Sequence, residues 1–141
     1  MIEKFATSAW RGTLKEGSGT VTSQSGALID VPYSHATRFA DQAGANPEEL
    51  VAAAHSSCYA MFLSALMTGA GIRPDRIEAR STVKMDPATA GSPTVVAAHL
   101  DVTVDAPADA ATIRDLAEKA KANCPISKLL KAELSLSVTI A

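Results

Sequence analysis

One segment limits the possible folds more than any other. Residues 50–67 are eighteen positions in which only His55, Ser56, Ser57 and Ser64 interrupt an apolar run. That length reaches the minimum for crossing a bilayer. Alanine supplies much of the apolar character at little transfer free energy, however, and a soluble helix that is apolar on most faces is one buried on several sides. The segment is therefore expected to be a central core helix and not a membrane span. Its start lies in the preceding residues: Asn46 is a favoured N-cap, Pro47 suits the first helical position, and Glu48 and Glu49 suit the positive end of the helix dipole. The helix is expected to run to about Gly69, with Gly71 and Pro74 ending it. With 27 alanines in 141 residues and only 4% aromatics, close helix packing is expected to fill the core.

The remaining chain reads as short strands and two further helices. Residues 4–14 and 19–23 flank a Lys15-Glu16-Gly17 turn and predict a hairpin. Residues 27–31 predict a third strand stopped by Pro32, and 32–47 at most a short helical turn followed by loop. Residues 76–86 alternate, with Ile77, Ala79, Ser81, Val83 and Met85 on one side, and 94–104 predict another long strand across a loop at 87–93. Residues 109–123 place Ile113, Leu116, Ala117 and Ala120 at helical spacing. Residues 125–131 suggest one or two further turns, and 134–140 alternate with period two. The order β-β-β-α-β-β-α-α-β implies an α+β fold, with mainly antiparallel sheet wrapped around the long central helix. The length suits one domain over 1–141, and no repeat or linker divides it.

Thirteen basic residues against fifteen acidic give a net charge of -2 with no basic block. This removes the electrostatic footprint of nucleic-acid or anionic-membrane binding. The first ten residues hold no apolar core of signal-peptide type, so a cytoplasmic protein is expected. No CxxC occurs, and His35, His55 and His99 are dispersed, so no residue cluster implies a metal or an organic cofactor.

The chemistry must then rest on the two cysteines, Cys58 and Cys124, or the cysteines are buried hydrophobes. Cys58 falls mid-helix, where an apolar setting raises a thiol pKa unless a cation is brought to it. Arg38 is a candidate cation, in the loop that feeds the helix. Glu48, ten positions before Cys58, is a candidate to orient an arginine through a paired contact. Alone, Glu48 reads as dipole complement and Arg38 as a solvated loop charge. Cys124 precedes Pro125, which places it at the N-cap of the next helix; backbone N–H groups there are expected to point at its sulfur and favour thiolate. His55 lies three residues before Cys58, so a Cys-His pair for acyl transfer is a further candidate, against the plain reading of a satisfied core histidine.

These stretches resemble the osmotically inducible protein C (OsmC) family, within the OsmC/Ohr superfamily of thiol-dependent hydroperoxide reductases. The resemblance is carried by Pro32-Tyr33, Thr37-Arg38-Phe39, Asn46-Pro47-Glu48-Glu49-Leu50 and Ala52-Ala53-Ala54-His55-Ser56-Ser57-Cys58. It continues in Asn123-Cys124-Pro125-Ile126-Ser127-Lys128 and Leu130-Lys131-Ala132-Glu133, in order across nearly the whole chain. Gly17-Ser18-Gly19 lacks the arginine of the Ohr branch, so the OsmC branch fits better. The resemblance implies an intertwined homodimer with active sites at the subunit interface. It implies an antioxidant stress-response oxidoreductase in which Cys58 attacks the peroxide, Cys124 resolves it as a disulfide, Arg38 stabilises the thiolate and Glu48 holds Arg38. It also suggests reduction by lipoylated proteins or a similar dithiol.

The Ala- and Leu-rich surroundings of Cys58 suggest an apolar pocket that favours organic hydroperoxides over hydrogen peroxide. Three readings stand at this point: a two-cysteine peroxidase, a Cys-His acyl transferase or hydrolase using His55 and Cys58, and a non-catalytic redox sensor or stress-induced binding module.

Overall fold

The expected hairpin forms, with its strands trimmed at both ends. In the computed structural model, which describes residues 1–88 and 91–141, β1 (Ala6–Arg11) pairs antiparallel with β2 (Ser18–Ser23), and β2 pairs antiparallel with β3 (Val31–Tyr33). The connection leaves β1 through Gly12 at φ +90°, a conformation that favours glycine. Gly19 faces Trp10 on one side and Tyr33 on the other. A Cβ there would come within 2.6 Å of the Tyr33 ring, so the bare position lets the Trp10 and Tyr33 rings approach to 5.5 Å.

The third strand differs from the sequence expectation. Residues 27–30 form a bend, with Asp30 at φ +47° and its N–H donating to Thr22 Oγ1 at 2.9 Å. The strand begins at Val31 and contains Pro32 instead of stopping before it. Proline is tolerated because β3 is an edge strand, where a missing N–H breaks no ladder. Its carbonyl is used, accepting from Ala45 N–H at 2.8 Å.

These strands belong to the first of two compact units, Met1–Leu50; the second is Val51–Ala141. In the first, α1 (His35–Phe39) is closed by a capping box in which Thr37 N–H donates to Ser34 Oγ and Ser34 N–H donates to Thr37 Oγ1. Asn46 caps α2 (Pro47–Gly69) by accepting from Glu49 N–H at 3.0 Å, and its amide donates to Thr37 O at 3.2 Å.

In the second unit, α2 buries the i, i+4 stripe His55, Tyr59, Leu63 and Met67. The stripe joins a core with Leu100, Val102 and Val104 of β5 (Thr94–Asp105) and Ile113, Leu116, Ala117 and Ala120 of α3 (Ala110–Asn123). Tyr59 is fully buried, and its hydroxyl donates to Ala117 O at 3.0 Å. By length and composition α2 is apolar enough to cross a membrane; the stripe is what ties it to this core. β4 (Arg76–Asp86) runs antiparallel to β5, and β5 runs parallel to β6 (Glu133–Ile140). The crossover between the parallel pair is made by α3 and α4 (Pro125–Leu129). Three of the four strand pairings described are thus antiparallel. The loop expected at 87–93 falls partly on residues 89 and 90, outside the described residues.

Candidate active site

The first unit holds a guanidinium fixed by a carboxylate. The capping box orients α1 so that Arg38 falls in its last turn, and the Asn46 cap sets Glu48 in the first turn of α2. Arg38 Nη2 donates to Glu48 Oε1 at 2.7 Å, and Nε lies 3.2 and 3.3 Å from the two carboxylate oxygens. This fork fixes the plane of the guanidinium as well as its position. The Arg38 side chain is 38% exposed and that of Glu48 14%, so the pair orients a cation more than it stabilises the fold. Beside it lies a cavity of about 320 Å³ lined by Trp10, Leu14, Tyr33, His35, Arg38 and Phe39. The guanidinium sits 5.4 Å from the Phe39 ring centre.

The second unit brings together two thiols that are 66 positions apart in the chain. Cys124 sits where α3 ends and α4 begins, with its N–H bonded to Ala120 O and its carbonyl accepting from Lys128 N–H. Pro125 takes the first position of α4, as expected. The sulfur does not: it makes no capping bond to the helix it precedes. It is fully buried and turned toward α2, where Cys124 Sγ–H donates to Cys58 Sγ at 3.0 Å. The helix-start N–H of Ile126 is directed at Cys58. The donor expected to serve Cys124 therefore serves its partner, because core packing selects the thiol's rotamer over local capping.

Burial pushes the Cys58 thiol above its ordinary pKa, and the neighbouring Cys124 adds to this; the Ile126 N–H pulls the other way. The resting thiol is thus protonated at neutral pH, and a cation brought to it would favour the thiolate.

His55 is fully buried and takes both nitrogens to serines: Nδ1 lies 2.9 Å from Ser81 Oγ and Nε2 2.9 Å from Ser127 Oγ. Burial lowers its pKa, so the ring is neutral, with one nitrogen donating and the other accepting. With both nitrogens occupied, His55 is not the base of a Cys-His pair. Ser81 and Ser127 were not legible as its partners, although Ser127 follows Cys124 at the same three-residue spacing that separates His55 from Cys58. His99 lies on the opposite sheet face, between Ser135 at 2.6 Å and Asp101 at 3.2 Å. Among the described residues no group of three or more His, Cys, Asp or Glu side chains is placed to hold a metal ion.

Comparison with known proteins adds to this geometry. A family described as OsmC-like protein matches residues 40–139. Over 136 residues the chain is 42% identical to the protein named Peroxiredoxin OsmC of Escherichia coli (strain K12), covering 96% of this chain and 94% of that protein. The crystal structure of the organic hydroperoxide resistance protein OhrB of Bacillus subtilis is similar at a TM-score of 0.64 and 25% identity, covering 97% and 98% of the two chains. An OsmC-like protein of Vibrio cholerae shares the fold at a TM-score of 0.76 and 17% identity, over 98% of this chain and 99% of that one.

Proposed function

Because the chain belongs to the OsmC-like family, we propose that it is a peroxidase that reduces organic hydroperoxides through a Cys58–Cys124 disulfide. The observation that carries this reading is the pair of thiols at 3.0 Å, within about 1 Å of the ~2.05 Å length of a disulfide. The Cys58 thiolate attacks one peroxide oxygen; an S–O bond forms, the O–O bond breaks, and the departing alkoxide takes a proton to leave as alcohol. Cys58 is then a sulfenic acid. The Cys124 sulfur attacks Cys58, the S–S bond forms and water leaves. A dithiol, such as a lipoylated protein, returns both cysteines to thiols by exchange.

Arg38 is assigned the cationic role: it lowers the Cys58 pKa and donates N–H to the departing oxygen, while Glu48 holds the guanidinium flat. The cavity beside Arg38, walled by Trp10, Leu14, Tyr33 and Phe39, supports an organic substrate with an apolar tail over hydrogen peroxide. The family relationship supports reading 1–141 as one cytoplasmic OsmC-like domain.

Reduced protein given one equivalent of cumene hydroperoxide is expected to lose both thiols and about two hydrogens of mass. Cys124→Ser should instead stop at a sulfenic or over-oxidised Cys58. Unchanged thiols in the wild-type chain would sink the reading, and a disulfide without sustained peroxide consumption in excess dithiothreitol would leave a sensor instead of an enzyme.

The assembly is read as a homodimer. The α2 face carrying Ala54, Ser57, Met61 and Ala65 is exposed in the single chain, Met61 to 74%, and an apolar helix face of this length favours cover. Light scattering at micromolar concentration should give about twice the 14.6 kDa chain mass; a monomer would refute the pairing.

A further inference from the structure

The peroxidase reading assigns His55 no role, yet its side chain bonds to both β4, through Ser81, and α4, through Ser127 of the resolving cysteine's motif. We propose that Ser81, His55 and Ser127 form a positioning unit that sets the register of α4 on α2 and so holds Cys124 against Cys58. The inference rests on the two-cysteine reading and extends it to residues that touch neither substrate nor sulfur.

The argument starts from spacing. His55 and Cys58 are three apart on α2, and Cys124 and Ser127 are three apart at the start of α4, so each pair lies on one face. The two elements therefore meet in two rungs, Cys58–Cys124 at 3.0 Å and His55–Ser127 at 2.9 Å. α4 is only five residues long and has no side-chain cap. Leu129 is 71% exposed, and Ile126 is its one apolar side chain packed on the core. A helix this short is held by its contacts and not by its own hydrogen bonds, and the buried Ser127 hydroxyl on His55 is the specific one.

The third member fixes the ring. Ser81 interrupts the inward-facing row Ile77, Ala79, Val83 on β4, and its hydroxyl meets Nδ1 at 2.9 Å. With Nδ1 bound to the sheet, Nε2 is aimed at Ser127 in one ring orientation. The buried imidazole and the buried Ser127 hydroxyl cost free energy unless paired, and with the half-buried Ser81 they select a single register. A slip of α4 along α2 would break this bond together with the sulfur contact and the Ile126 N–H contact to Cys58.

The test is the equilibrium of the Cys58–Cys124 disulfide with a dithiothreitol redox buffer, read by thiol quantification alongside the rate of Cys58 oxidation by cumene hydroperoxide. Ser127→Ala is expected to lower the disulfide equilibrium constant about tenfold, equivalent to about 30 mV, while the first oxidation step stays within about twofold. Ser127→Thr, which keeps the hydroxyl, should restore the wild-type constant; a purely space-filling role for Ser127 would not distinguish the hydroxyl in this way. Ser81→Ala should lower the constant about threefold and serves as the measurement if Ser127→Ala loses its fold. A constant within twofold of wild type in the folded variants, or a slowing of the first oxidation as large as the fall in the constant, overturns the positioning role. A wild-type chain that forms the disulfide in the buffer but ignores hydroperoxide would sink the peroxidase reading alone. A wild-type chain that forms no disulfide overturns both.

Discussion

Arg38→Ala is expected to lower the second-order rate of Cys58 oxidation by cumene hydroperoxide by about 100-fold or more. Two effects act in the same direction. Burial and Cys124 hold the Cys58 thiol above its ordinary pKa, so, on the proposed mechanism, removing Arg38 would reduce the thiolate fraction at neutral pH. On the same mechanism, loss of the guanidinium would also remove the N–H donors assigned to the oxygen that departs with the electron pair. Arg38→Lys should recover part of the loss, since it keeps the charge without the planar fork that Glu48 grips through Nε and Nη2. Glu48→Gln should cost about tenfold, because the acceptor remains but its charge does not. Stopped-flow single-turnover oxidation of Cys124→Ser protein separates these effects from resolution. An unchanged rate in Arg38→Ala would remove Arg38 from the mechanism.

Leu63→Ala is expected to cost about 2–5 kcal/mol of stability. Leu63 is fully buried at the centre of the α2 stripe, one turn from Tyr59 and one from Met67, in the core formed with Leu100 and Ile113. Truncation leaves a void that close-packed neighbours fill only in part. Denaturant unfolding of both proteins at one chain concentration measures the difference, because the proposed dimer makes apparent stability concentration-dependent. A loss below about 1 kcal/mol would mean that this stripe is not the core.

The parts of the molecule readable from the residues are those made by neighbours in the chain. The Asn46-Pro47 start of α2, the helix expected over 109–123 and the alternation of β4 and β6 all formed where the sequence placed them. Each rests on contacts within four residues, or on a hydrophobic period that a short window reveals. Pro32 shows the limit of that logic. Proline stops a strand when its N–H is needed, and whether it is needed depends on the strand being an edge. The parallel pairing of β5 with β6 likewise requires the α3–α4 crossover to return the chain in the same direction.

The site divides along the same line. Local rules correctly placed Cys124 at the start of α4 but sent its sulfur to the wrong neighbours. The thiol's direction is set by α2, reached across 66 positions. His55 was legible as a core histidine, whereas its serine partners lie 26 and 72 positions away. Short-range sterics and capping act before the chain has folded and can be read from its order. Which buried sulfur, hydroxyl or imidazole meets which depends on how the helices and sheet pack, where satisfying every buried polar group at once leaves one arrangement.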